Sequence, residues 1–419
     1  MILDPAVERR SWDEQLALDD TSFRTQLAYL FERSPFYRVK LAGYDTELGL
    51  DRISELPLTE KQEVKGVRPF GAHFCGDPEL VRVYSTSGTT GTPSYIPLTR
   101  ADLENWVTGS ARSYAASGIG PGDRVLTTYN AGPFVAGAAL DAFQRIGVTH
   151  VPLGTGNSDR LLLALTELQP TAVVLTPSYA MYLLELADLE RSSVRRVLVA
   201  GEPGGGEPAY RAKLESGWGA AVTEAMGIGD IGPSLWGECE AQDGMHLGAR
   251  DFVHTELIDP QTGDALSLGD GVQGELVLTH LRHRAAPLLR FRTRDHVVVK
   301  TAPCACGRTA PRIRCLGRTD DMLIVRGVNV FPSALREIVA GFAPAVSGNI
   351  VVRPRTPGVK QDPPLPLRVE LGAETLRDES LANVIRERVR GVLTVQTEVE
   401  LVPFGTLQRS EYKSRLVER

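Results

Sequence analysis

Tyr84-Ser85-Thr86-Ser87-Gly88-Thr89-Thr90-Gly91-Thr92-Pro93 follows a run, Leu80-Val81-Arg82-Val83, that reads as a strand. A strand entering a hydroxyl-rich turn with two glycines can surround a polyphosphate. Glycine permits backbone angles closed to other residues, while exposed amides and Ser/Thr hydroxyls supply donors. No Gly-Lys-Ser/Thr closes the turn, so it is not a Walker loop. A surface turn has the same composition, so the order of the residues carries the reading.

Working outward from this turn, short apolar runs alternate with helical stretches. Arg124–Tyr129, Thr149–Leu153, Thr171–Leu175 and Val194–Ala200 read as buried strands, with helix-like stretches such as Ala180–Leu189 between them. That alternation favours parallel strands in α/β layers. From Phe252 the pattern changes: Phe252–Ile258 and Gly274–Leu281 read as antiparallel strands flanking the turn Asp259-Pro260-Gln261-Thr262-Gly263. After Gly317 a smaller α+β unit is expected, with helices Ser333–Ala340 and Leu381–Leu393 and strands Asn349–Arg353, Leu367–Leu371 and Thr397–Val402. Leu381, Val384, Ile385, Val389 and Val392 are expected on the packed face of its second helix. Five prolines mark Pro354–Pro366 as an exposed loop. The expected fold class is therefore α/β: a large N-terminal domain of layered α/β sheets with a β-rich subdomain over residues 1–319, and a small α+β domain over 320–419.

Composition narrows the function classes. A length of 419 residues implies more than one core. A net charge of −6, with both signs interspersed, gives no basic field for nucleic acid or anionic lipid. The early charges Glu8, Arg9 and Arg10 do not fit a secretory leader, and no apolar stretch reaches a membrane span, so a cytoplasmic protein is expected. Five cysteines form no disulfide framework. Cys304 and Cys306 are too close to bridge each other without strain, which leaves a shared metal or incidental burial.

Ser87-Gly88-Thr89-Thr90-Gly91-x-Pro93 resembles the phosphate-binding signature of the acyl-adenylate-forming superfamily, which includes acyl-CoA synthetases and luciferases. Further segments in order resemble its phenylacetate–coenzyme A ligase branch: Thr176-Pro177-Ser178-Tyr179, Gly201-Glu202-Pro203, Arg290–Asp295, Cys304–Thr309, Gly317–Leu323 and Arg326–Pro332. The resemblance implies activation of a carboxylic acid, an aromatic one in this branch, by ATP with Mg²⁺, followed by transfer to coenzyme A. It also implies a homodimer and a mobile C-terminal domain.

Carried over residue by residue, it implies that Ser87, Gly88, Thr89, Thr90 and Gly91 hold the β- and γ-phosphates, and that Asp295 accepts both ribose hydroxyls. An ionised carboxylate suits that task because it has acceptors and no donors. Glu202, Pro203, Met226, Gly227 and Arg318 would contact the nucleotide, while Gly201, Tyr179, Gly229, Ala131 and Phe134 would face the acid. Asp320 matches the hinge about which the C-terminal domain swings, and Gly327–Phe331 would face the site during thioester formation. Gln408-Arg409-Ser410-Glu411-Tyr412-Lys413 places Lys413 as the lysine bridging carboxylate and α-phosphate.

Three regions depart from the pattern. Thr92 stands where the phosphate loop carries a lysine. Met226-Gly227-Ile228-Gly229-Asp230 replaces an aromatic, a hydroxyl and a glutamate, with Asp230 at the position of the Mg²⁺ ligand. Ala131 replaces a tyrosine in the acid pocket, leaving room for a larger acid beside Phe134. These departures keep two alternatives open: another acceptor (an amine, a carrier-protein thiol, or an inorganic nucleophile such as nitrite), or a homologue that binds without catalysis. Cys239, His246, Cys304 and Cys306 would make a Cys₃His set suited to structural Zn²⁺ if folding joins the two pairs; unligated cysteines are the alternative.

Overall fold

A computed structural model describes the whole chain except residues 66, 68, 77, 78, 86–93, 130–134, 377, 411–414 and 419. Its centre is a twelve-stranded mixed sheet. From one edge run five parallel strands: Thr149–Pro152, Arg124–Thr127, Ala172–Leu175, Arg196–Ala200 and Ala221–Ile228. Side chains alternate across these strands, so one sequence serves two cores. Val173, Leu175, Val197, Val199 and Val222 pack beneath helices Ser158–Leu168, Pro177–Leu186 and Pro208–Trp218. Val125, Ala172, Val174 and Leu198 pack on the other face against Arg100–Ala116 and Ala136–Ile146.

At Ala221–Ile228 the sheet changes sense, because a short turn returns the chain as Gly232–Glu238. Antiparallel strands continue through Met245–Leu247, Arg312–Arg318, Phe291–Lys300, Gln273–His280 and Val253–Ile258 to Ala265–Leu266. Leu257, Leu276, Leu278, Phe291 and Val297 fill the core of this half. The expected switch from parallel to antiparallel is thus present, within one continuous sheet.

The last hundred residues have their own core. Val346–Val352, Leu365–Leu371 and Thr397–Val402 form a sheet covered by helices Pro332–Ala340 and Glu379–Leu393. On the second helix Ala382, Ile385 and Val389 are buried, whereas Val384 and Val392 are about half exposed. The expected packed face was therefore rotated too far, because the arc reaching the sheet is narrower than the run of apolar residues. The proline-rich loop is also tied down: Gln361 is buried and donates to the carbonyls of Thr356 and Gly358. Among the described residues no helix is long and apolar enough to cross a membrane.

Candidate nucleotide and acid site

Open parallel sheets gather ligands beyond the carboxyl ends of their strands. Here the strand Arg196–Ala200 leads into Gly201-Glu202-Pro203, and its neighbour Ala172–Leu175 leads into the helix Pro177–Leu186. The two turns are tied together because the Glu202 carboxylate accepts from the backbone N–H of Ser178 at 2.8 Å. That bond satisfies one of the free amides in the first turn of the helix. Tyr179, expected at the acid, is 1% exposed, its ring packs in the core cluster beneath the helix, and its hydroxyl is 3.1 Å from that of Ser158.

Met226 and Gly227 end the last parallel strand, where it pairs with Gly232–Glu238 through a bulge. A Cβ on Gly227 would lie 1.9 Å from the Pro233 carbonyl oxygen, so this close approach admits only glycine. Met226 packs on the core of the antiparallel half. Gly229 and Asp230 form the connecting turn, and Lys61 lies 2.6 Å from Asp230 Oδ2. The carboxylate expected to meet Mg²⁺ thus already has a counter-cation.

Asp295 lies on Phe291–Lys300 directly opposite Arg318 on Arg312–Arg318. An irregularity in the pairing with Gln273–His280, with Arg294 at φ 66°, turns the two neighbouring side chains apart. Arg294 goes to Glu60 at 2.5 Å and Glu275 at 3.7 Å, not to Asp295. Asp295 faces Arg318 Nη1 at 3.7 Å instead. Burial pushes its carboxyl up to about 6, opposed by the Arg318 guanidinium. Arg318 also donates to both carboxylate oxygens of Asp320, at 2.9 and 2.8 Å. The expected hinge residue is thereby bonded to an expected nucleotide contact. The half-buried Cys315 thiol is raised by desolvation and then by the Asp295 and Glu224 carboxylates.

Ser87, Gly88, Thr89, Thr90, Gly91, Thr92, Ala131, Phe134 and Lys413 lie outside the described residues. Of the rest of the expected nucleotide set, the pairing of Ala200 with Ala225 on adjacent strands sets the Gly201–Pro203 turn beside Met226 and Gly227, and Asp295 faces Arg318.

The AMP-binding enzyme family matches residues 50–280, and the AMP-binding enzyme C-terminal domain matches residues 327–418. The chain belongs to the AMP-binding enzyme family. It is 33% identical to the phenylacetate–coenzyme A ligase of Thermus thermophilus over 98% of this chain and 97% of that one. It is 32% identical to that of Escherichia coli K12 over 98% and 96%. Among solved structures, 2-hydroxyisobutyryl-CoA ligase in its postadenylation state with 2-HIB-AMP superposes with a TM-score of 0.89 at 27% identity, covering 99% of this chain and 91% of that one. The same ligase in its thioesterification state gives a TM-score of 0.71 at 28% identity over the same shares.

This AMP-binding enzyme also carries the expected cysteine–histidine cluster. Cys239, His246, Cys304 and Cys306 place their ligand atoms within 4.8 Å of one another. Cys239 Sγ is 3.6 Å from Cys304 Sγ, and Cys306 Sγ is 3.4 Å from His246 Nε2. His246 and Cys239 flank a short antiparallel pairing, and Cys304–Cys306 lie on the loop between the two strands that carry Asp295 and Arg318. A pit of about 410 Å³ lined by Met1, Arg9, Cys306 and Arg308 opens beside the cluster. His246 Nδ1 is buried without a hydrogen-bond partner. Three soft sulfurs and one imidazole fit a four-coordinate Zn²⁺.

Two arrangements escaped the sequence reading. Glu224 and Glu238 are buried side by side, with Arg211 2.6 Å from Glu238. Burial first, and then the neighbouring Glu238 charge, raise the Glu224 carboxyl above the usual carboxylate range. Arg336 of the C-terminal unit is buried against Glu207 at 2.6 Å. Neither pair has a sequence signal, because each joins residues from separate elements without a fixed spacing.

Proposed function

We propose that this enzyme activates a carboxylic acid, an aromatic one in first preference, as its acyl-adenylate and passes the acyl group to coenzyme A. A carboxylate oxygen attacks the α-phosphorus of ATP and pyrophosphate leaves; the coenzyme A thiol then attacks the carbonyl and AMP leaves. The observation that carries the reading is the buried Asp295, held opposite Arg318. A dry carboxylate that strengthens when ionised is suited to two ribose hydroxyls. Ser87–Gly91 would cradle the phosphates and Lys413 would bridge carboxylate and α-phosphate. Asp230 is the carboxylate proposed for Mg²⁺, which would compete there with the Lys61 ammonium. Gly201, Gly229, Ala131 and Phe134 are proposed to shape the acid pocket.

Residues 1–319 and 320–419 are proposed to act as two bodies that swing about Asp320. The better superposition on the postadenylation state than on the thioesterification state supports reading the present arrangement as the adenylation pose. Zn²⁺ in the Cys₃His set would brace the loop that precedes Arg312–Arg318 and take no part in chemistry, since four protein ligands leave no open position. A cytoplasmic homodimer belongs to the same proposal.

A pyrophosphate-release screen over aromatic and aliphatic acids, with and without coenzyme A, tests the reading. Acid-dependent release followed by coenzyme A consumption is expected. Release without coenzyme A consumption would move the acceptor to an amine, a carrier-protein thiol or an inorganic nucleophile; no release with any acid would overturn the activity.

A further inference from the structure

Arg336 lies on the helix Pro332–Ala340 of the C-terminal unit, yet it hydrogen-bonds to Pro203 and Glu207 and stacks over Tyr210 in the N-terminal part. Its Nε donates to Glu207 Oε2 at 3.0 Å and its Nη2 to Glu207 Oε1 at 2.6 Å. The same Nη2 donates to the carbonyl of Pro203 at 2.6 Å, and the guanidinium stands 4.7 Å over the Tyr210 ring. Only 3% of the side chain is exposed. A guanidinium fork suits this geometry, where a point-charge ammonium would not reach a carboxylate, a carbonyl and a ring together.

The adjacent residue repeats the crossing. Glu207 is the N-cap of Pro208–Trp218 but makes no side-chain cap bond to its own helix. Its carboxylate is committed to Arg336, and the free helix amides are taken by Glu337: Ala209 N donates to Glu337 Oε1 at 2.8 Å and Tyr210 N to Oε2 at 3.4 Å. A helix N-terminus is thus capped from the other unit. The turn itself is pinched between the units. Gly204, at φ 151°, has Pro177 on one side and Arg336 Nη2 on the other, where a Cβ would lie 2.8 and 3.4 Å away.

We infer that Arg336 is a positioning residue for adenylation, which holds the Gly201–Pro203 nucleotide turn in its binding shape only while the C-terminal unit is docked. The inference rests on the adenylation reading above. When the unit swings away, the Pro203 carbonyl loses its donor and the Glu207 carboxylate its partner at the same moment. Coupling of this kind is reciprocal: a nucleotide in the turn favours docking, and undocking loosens the nucleotide.

The test measures AMP binding to the full-length protein by calorimetry, together with the two half-reactions. Arg336→Met is expected to raise the Kd for AMP about tenfold, because only the part of the lost pairing that shapes the turn is felt by the nucleotide. Pyrophosphate exchange should slow through KM for ATP, while thioester formation from preformed adenylate keeps its rate. Should Arg336→Met fail to fold, Glu207→Gln, which keeps the shape and removes the charge, is read in its place. An unchanged Kd, or an equal fall in both half-reactions, would overturn the inference. A wild-type protein that does not bind AMP would instead overturn the nucleotide site itself.

Discussion

Asp295 and Arg318 face each other across neighbouring antiparallel strands, with Oδ1 and Nη1 3.7 Å apart. The gap is wider than a hydrogen bond, so the guanidinium tempers the carboxylate without occupying it. Burial wins, and the carboxyl is pushed up to about 6.

That value gives nucleotide binding a pH dependence whose sign is fixed. Only ionised Asp295 accepts from two hydroxyls, so AMP affinity should be full above pH ~6 and fall about tenfold per unit below it. For the free protein the sign is opposite. A raised carboxyl contributes stability at low pH that is lost as pH rises through about 6, and bound AMP restores it. Calorimetry between pH 5 and 8 reads the first effect; Asp295→Asn should flatten the profile and weaken binding by about 2 kcal/mol. A flat wild-type profile would count against the ribose role.

The cysteine–histidine cluster predicts about one zinc per chain by elemental analysis. The pit beside Cys306 gives a chelator access to the set. Chelation, or Cys304→Ser, should lower Tm by roughly 5 °C or more while leaving kcat of the still-folded protein at 25 °C nearly unchanged. Purified protein free of zinc, whose melting ignores chelators, would reassign the four residues to ordinary packing.

Much of the frame was legible because it is periodic or punctuated. Val173, Leu175, Val197 and Val199 announce buried parallel strands by composition and length, and the expected metal residues Cys239, His246, Cys304 and Cys306 do converge. Periodicity misled where an apolar stripe was wider than its contact, as at Val384 and Val392. Tyr179 was read from its motif neighbours, although Leu183 four residues on places it on the core side of the helix. Arg336 and Glu207 were invisible for a different reason. A pair 129 residues apart and joined only by docking leaves no local pattern.

Tyr179 offers a direct check on whether it lines the acid pocket or only the core. Tyr179→Phe removes the hydroxyl that lies 3.1 Å from Ser158 Oγ and keeps the ring in the core. Stability measured by denaturant should drop by about 1 kcal/mol, with KM for the acid unchanged. A tenfold rise in that KM would restore the residue to the acid pocket.

Lys413 separates the two half-reactions. Upstream of it, Arg409 is anchored at 2.8 Å to both Glu185 of the N-terminal part and Glu370 of the C-terminal sheet, so the segment leading to Lys413 bridges the two units. A mobile ammonium that meets the α-phosphate as pyrophosphate leaves stabilises charge present only in the adenylation transition state. Lys413→Ala should therefore lower acid-dependent pyrophosphate release by about a hundredfold or more, equivalent to about 2.7 kcal/mol. Coenzyme A should still consume preformed adenylate at the wild-type rate, because no pyrophosphate leaves in that step. Equal losses in both measurements would make Lys413 a folding residue, and no loss in either would remove it from the mechanism.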